Sequence, residues 1–263
     1  MLSTNAVGPK LGDMQTAEMT AMLDHDEQHW WYRGRRRIVR AELDRLSLGP
    51  RSRLLDAGCG SGRTLEELSS YGQASGVDLS PVAVEAARRR GQSDVRQGAV
   101  EALPFADASF DVVTCLDVIE HTPDDRVSLA ELLRVTVPGG LALVTVPAYQ
   151  CLWSHHDELN LHYRRYGRGQ LEGATVAAGW EWVRDTHFNT LLLAPAAVVR
   201  CASRARSSST TTSDLTLTPA FADRWMELPM AAEALWLRSG GHIPCGLSLL
   251  AILRRPARRR GRD

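Results

Sequence analysis

Three things are scarce in this 263-residue chain: cysteine, net charge and long apolar runs. The five cysteines (Cys59, Cys115, Cys151, Cys201, Cys245) are odd in number and widely scattered. No pair has metal-ligand spacing, so the sequence predicts no metal site. A reducing, cytoplasmic setting is expected. Lys+Arg and Asp+Glu both count 31, and this balance gives no general pull toward nucleic acid. The longest apolar stretch, Leu191 to Val199, contains Pro195 and is far too short to span a bilayer. The first 28 residues are polar and acidic, without the apolar core of a signal peptide.

What is present suits a packed globular domain. Apolar residues make up 44% of the chain and charged residues 24%. Basic charge gathers in Arg33 to Arg40 and in the tail Arg254 to Arg262. Such runs read as a solvated face and a frayed terminus, or as a loose contact with a phosphate-bearing or membrane surface. The segment 1–49 is expected to be a helical extension or lid, and 50–263 one α/β domain.

Within that domain, strands and helices alternate. Strands are expected at Arg53 to Gly58, Ser75 to Ser80, Asp94 to Ala99, Phe110 to Asp117 and Gly140 to Pro147. Helices are expected around Thr64 to Ser70, Pro81 to Arg90 and Pro123 to Val135. Ser80 and Thr122 precede prolines as candidate caps. Two more strands are expected at Glu181 to Asn189 and Gly246 to Leu253. Between them lies a helical insertion of about 190–240, joined by a polar loop at 207–214. The prediction is a Rossmann-like, seven-stranded, mostly parallel sheet with helices on both faces.

The strongest local signal is DAGCGSG, Asp56 to Gly62, between a strand and a helix. Gly58, Gly60 and Gly62 allow a sharp turn and close backbone approach to a ligand. Asp78 follows 22 residues after Asp56, at the end of the neighbouring strand, where a carboxylate can accept from both ribose hydroxyls. Dinucleotide sites usually space their glycines G-x-G-x-x-G and set pyrophosphate on the helix N-terminus. Here the spacing is G-x-G-x-G and Asp56 stands beside the turn. Its charge repels pyrophosphate and suits a cation such as S-adenosylmethionine (SAM), which carries an ammonium and a sulfonium.

From Arg53 to Pro147 the sequence resembles the class I SAM-dependent methyltransferases. DAGCGSG is similar to their first motif, which implies contacts from Asp56, Gly58, Cys59, Gly60 and Gly62 to the amino acid part of SAM. VDLS is similar to their second, with Asp78 and Leu79 at the ribose. GAVEALPF, Gly98 to Phe105, resembles the adenine-binding segment and implicates Ala99, Val100 and Glu101. Ala99 stands where the family has aspartate, which leaves backbone contacts at Ala99 and Val100. FDVVTCLDVIEH, Phe110 to His121, resembles the fourth strand and the loop facing the methyl group, with Leu116 and Asp117. VPGGLALVTVP, Val137 to Pro147, matches the turn into the fifth strand. EQHWWYRGRRRIV, Glu27 to Val39, resembles a helix that some bacterial small-molecule methyltransferases fold over the cofactor. It offers Tyr32 as a pocket wall and Arg33, Arg36 or Arg37 for the SAM carboxylate, with Arg36 expected to make the contact.

The acceptor side is less distinct. LWSHHDELNLHYRRY, Leu152 to Tyr166, follows the fifth strand and should border the acceptor. His155 and His156 are candidate bases, with Asp157 to orient one of them, and His121 is a third. The H-x-x-x-x-x-H spacing lacks an evident third metal ligand. Leu191, Leu192, Leu193, Val198 and Val199, with Phe221, Trp225, Met226, Leu235 and Trp236, offer an apolar lid. They point to a small apolar acceptor, such as a polyketide, an isoprenoid or a lipid-like metabolite. The reading is methyl transfer to an oxygen or carbon by a monomer or homodimer. A SAM-binding regulatory protein, a nucleic-acid methyltransferase and a nicotinamide-dependent oxidoreductase are the alternatives. An N-P-P-Y motif is absent, and Asp117 to Glu120 fill its place. The Arg- and Ala-rich composition is associated with bacterial specialised metabolism.

Overall fold

The computed structural model describes residues 29–206 and 220–257. One sheet organises them, in the order β3-β2-β1-β4-β5-β7-β6. Its strands are β1 Arg53–Ala57, β2 Gln73–Asp78, β3 Val95–Gln97, β4 Phe110–Leu116, β5 Thr136–Pro147, β6 Glu181–Phe188 and β7 Ser248–Arg254. The first five run parallel, and β7 lies antiparallel between β5 and β6. All seven expected strands form, within a few residues of their predicted bounds.

Among the described residues, eight α-helices accompany the sheet, and those between β1 and β2, β2 and β3, and β4 and β5 supply the crossovers that parallel neighbours need. The eight are α1 Trp30–Leu43, α2 Arg63–Leu68, α3 Pro81–Arg89, α4 Asp125–Val135, α5 His155–Leu159, α6 Arg168–Ala177, α7 Leu193–Arg206 and α8 Ala220–Arg238. The central strands β1, β4, β5 and β7 are largely buried on both sides, so alternate residues enter different cores. Leu55, Val113 and Val144 pack with Leu129 and Leu132 of α4 and Leu171 of α6. Leu54, Val112 and Leu143 pack on the other face with Ile38 and Val39 of α1 and Met230 and Leu237 of α8.

Ser80 caps α3 as expected, its hydroxyl accepting from the Ala83 amide. Thr122 does not cap α4. Asp124 does, accepting from the Arg126 amide, while the Thr122 hydroxyl donates back to the Ile119 carbonyl. The expected insertion forms two helices, but they do not lid the cavity described below. α8 lies along α1 instead. Gly34 permits this, since a Cβ there would sit 2.4 Å from the Met230 sulfur. Arg33 and Arg37 clamp Glu227 of α8 at 2.8 and 2.7 Å. The lid residues Leu192 and Met226 pack into this core, whereas Leu191, Val198, Trp225, Leu235 and Trp236 face solvent. The side chains of Val199 and Phe221, the polar loop 207–214 and the end of the basic tail lie outside the described residues.

Candidate functional site

The strand order reverses between β1 and β4. From β1 the chain steps outward to β2 and β3, then returns across the sheet to β4. Loops leaving the carboxyl ends of β1 and β4 therefore diverge and open a crevice. A cavity of about 650 Å³ lies there, lined by the glycine turn, the ends of β2 and β4, α1, and Asn160, Leu161 and Tyr163.

The glycine turn builds one wall. Gly58, Gly60 and Gly62 have φ of 83°, 52° and 82°, in the left-handed region that a Cβ disfavours. Each glycine also has a separate reason. A Cβ on Gly58 would sit 2.3 Å from a Val118 methyl, and one on Gly62 would sit 2.8 Å from that of Ala87. At Gly60 a Cβ would meet nothing within 4 Å, because that backbone faces the cavity. Gly62 does not line the cavity. It lets α2 start against α3, which corrects the expectation of cofactor contact.

Two carboxylates flank the turn. Asp78 accepts from the Gly60 amide through Oδ2 and from the Ser80 amide through Oδ1, both at 2.9 Å. Burial raises its pKa, and the two amides hold the rise back. The amides fix the carboxylate's orientation and leave lone pairs directed at the cavity. Asp56 is buried and takes the Thr114 hydroxyl at 2.7 Å. Cys59, Leu79, Ala99, Val100, Glu101, Leu116 and Asp117 also line the cavity, as the sequence suggested.

Helix α1 supplies the opposing wall through Tyr32 and Arg35. Arg35 bonds Asp117 at 2.8 Å and the Leu116 carbonyl at 3.2 Å, and its guanidinium lies 5.0 Å from the Trp31 ring centroid. Asp117 has φ 56° and also accepts from Thr145. Arg36 was the expected cation, but it turns away and meets Glu67 at 3.3 Å. Consecutive helical residues point about 100° apart, and the burial of Ile38 and Val39 sets the phase.

The acceptor end differs from expectation. His155 is half-buried and pairs with Glu158 at 3.0 Å. His156 lies against Asn160. Neither lines the cavity; Asn160, Leu161 and Tyr163 do, together with His121. Asp157 orients neither expected histidine. It is fully buried, bonds Arg165 Nε at 2.7 Å and His162 Nδ1 at 2.9 Å, and caps α5 through the Ser154 amide. Burial works to raise its pKa, but the His162 bond and Arg165 outweigh this and hold it well below the carboxylate range. The His162 ring meets that of His121 edge-on, with centroids 4.6 Å apart. Desolvation and then His162 lower the His121 pKa to about 4, while the Asp117 carboxylate and a hydrogen bond with the Asn160 backbone work against the shift. Glu120 is fully buried, and burial followed by Asp117 raises its pKa well above the usual value. Donor atoms of Glu120, His121 and His162 lie within 4.8 Å of one another, close enough to hold a cation. Sequence spacing hid this cluster, because His121 and His162 are 41 residues apart, and His156 of the H-x-x-x-x-x-H pair is not part of it.

A glycine turn at the switch point, two carboxylates beside it and a β7 strand antiparallel in the sheet define a Rossmann-like, adenosyl-cofactor domain. A methyltransferase-domain family model matches residues 55–144. A Mycolicibacterium smegmatis protein named for SAM-dependent methyl transfer is 34% identical over 164 residues, 61% of this chain and 62% of that protein. A ubiquinone biosynthesis O-methyltransferase of Thiobacillus denitrificans is 30% identical over 180 residues, covering 64% of this chain and 69% of the relative. A Haloferax volcanii methyltransferase, solved with the Trm112 methyltransferase activator, shares the fold at a TM-score of 0.63 and 19% identity. That match covers 95% of this chain and 99% of that one. The chain belongs to the class I SAM-dependent methyltransferases, and SAM is its cofactor. Against four of the curated relatives the match spans from 39% to 62% of their length.

Proposed function

We propose that this protein transfers the methyl group of SAM to an oxygen, or secondarily a carbon, of a small and largely apolar acceptor. The observation that carries the reading is one cavity with two unlike ends. At one end stand the glycine turn and Asp78. At the other, His121 and Tyr163 sit beside the solvent-exposed apolar side chain of Leu161. The ubiquinone biosynthesis O-methyltransferases among the relatives support oxygen as the first choice.

When bound, SAM supplies an electrophilic methyl with a good leaving group. The chain's own residues then have positioning as their main task, which accounts for about 7–11 kcal/mol in well-aligned reactions. Asp78 takes the ribose hydroxyls. The Gly58 to Gly60 backbone and Asp56 receive the cationic amino acid part, and Arg35, in place of Arg36, meets its carboxylate. Ala99 and Val100 border the adenine. Tyr32 and α1 exclude water. His121, uncharged because its surroundings disfavour the proton, accepts a hydrogen bond from the acceptor hydroxyl and raises its nucleophilicity. Asp157 fixes His162, and His162 fixes the His121 ring.

The test is to incubate the purified protein with methyl-labelled SAM and phenols, catechols and isoprenoid-bearing alcohols of graded apolarity. Label transfer that grows with acceptor apolarity supports the reading. SAM binding without transfer to any of these would favour the regulatory alternative.

A further inference from the structure

Helix α8 is apolar on two opposite sides. Met226, Met230, Ala234 and Leu237 face α1 and the core. Trp225, Leu228, Leu235 and Trp236 face solvent, with Trp225, Leu235 and Trp236 exposed by 72%, 69% and 58%. The exposed positions are spaced three, seven and one apart around exposed Ala232, so at 100° per residue they form one stripe. A tryptophan stands at each end, about 16 Å apart along the axis. Together they show on the order of 500 Å² of apolar surface, near the upper end for a soluble monomer. A globular helix normally keeps its outward side polar.

We propose that this stripe docks the protein on an anionic lipid bilayer. The charge around it selects that occupant. Between Trp225 and Arg238 no acidic side chain faces outward. Glu227 is held by Arg33 and Arg37, and Glu233 is consumed by the Asn189 and Thr190 amides at 2.7 and 2.8 Å. The cations do face outward: Arg238 at the end of the stripe is 66% exposed, with Asp44 3.7 Å away, and Arg40 of the adjoining α1 is exposed, while Arg37 is already paired with Glu227. A second copy of the chain would bring these arginines against its own, whereas lipid phosphates neutralise them. Indole rings flanking leucines are the side chains that settle at a bilayer interface. Helix α1 lines the cavity with Tyr32 and Arg35 while it carries α8 on its side, so docking sets the cavity wall two helix layers, about 20 Å, from the lipid. The inference stands on the surface itself and does not require a lipid-soluble acceptor.

The full chain is sedimented with phosphatidylcholine vesicles, with and without phosphatidylglycerol, at low and high salt. The wild type is expected to co-sediment with the anionic vesicles, less so at high salt. The Trp225→Gln, Leu228→Gln, Leu235→Gln variant is expected to bind them at least about tenfold more weakly. None of these three residues lines the cavity, so SAM binding and circular dichroism are expected to stay unchanged. Trp236 is left in place because its ring packs over Gly241. An Arg40→Glu, Arg238→Glu variant tests the charge separately, and its vesicle binding must also fall. Failure of the wild type to bind anionic vesicles would overturn the proposal, as would undiminished binding by either variant. A wild-type dimer that the triple variant dissolves would assign the stripe to self-association and overturn it as well.

Discussion

Replacing Asp78 with alanine tests the cofactor geometry most directly. Its carboxylate is fixed by two backbone amides at 2.9 Å, one from the glycine turn and one from the start of α3. Each oxygen keeps a lone pair for a ribose hydroxyl. A hydrogen bond to a charged group contributes about 1.5–3 kcal/mol net, and water recovers part of the loss when the side chain is gone. Losing both bonds costs about 3 kcal/mol, which is roughly a 150-fold rise in Kd for SAM. The variant also frees the Gly60 amide, so the turn loses part of its preorganisation and the true loss lies at or above that figure. Asp78→Asn keeps one acceptor but must set an NH₂ against one of the two amides, so its Kd falls between the other two. The pH dependence has a definite sign: burial raises the Asp78 pKa, so binding weakens on acidification before an exposed aspartate would titrate. Calorimetric titration of SAM and of its demethylated product reads all of this. A change of less than about threefold for Asp78→Ala, with the fold intact by circular dichroism, would refute the assignment of Asp78 to the ribose.

Three further outcomes are expected. Arg35→Ala weakens SAM binding by about tenfold in titration, whereas Arg36→Ala changes it by less than about twofold and lowers thermal stability through its lost contact with Glu67. His121→Ala lowers kcat by about a hundredfold at nearly constant SAM affinity, while His155→Ala and His156→Ala stay within about threefold in the label-transfer assay. Asp157→Asn removes the carboxylate charge that meets the buried Arg165 at 2.7 Å and costs about 3 kcal/mol in chemical denaturation at neutral pH. Because the folded pKa of Asp157 is lowered, its contribution is complete above the ordinary carboxylate pKa of about 3.9 and is lost as pH falls below it. Wild type therefore loses more stability than the variant in acid.

The sequence by itself determined the sheet and the cofactor half of the site. Continuous apolar runs define strands wherever a sheet is covered on both faces, and β1, β4, β5 and β7 were legible that way, while the more polar β2 and β3 were legible from the alternation of strands and helices. The glycine turn was legible because positive φ and close approach are local demands that only glycine meets cheaply. The recurrence of a carboxylate at Asp78 followed from the βαβ repeat. Family resemblance then attached the cofactor to those positions.

Tertiary structure decided the rest. Arg35 and Arg36 are equivalent in sequence, and only the packing of Ile38 and Val39 turns one to the cavity and the other to Glu67. The histidine-rich loop promised His155 and His156. The buried pairing of Asp157 with Arg165 anchors α5 so that both stay outside the cavity and His162 meets His121 from a distant part of the chain. The insertion read as a lid because its helices are apolar, but apolarity does not say which surface receives it. Gly34 opened a groove for Met230, and α8 settled on α1, leaving its other apolar side to solvent. In each case the deciding quantity is a contact between residues far apart in sequence, and such contacts depend on helix phase and packing that no local pattern carries.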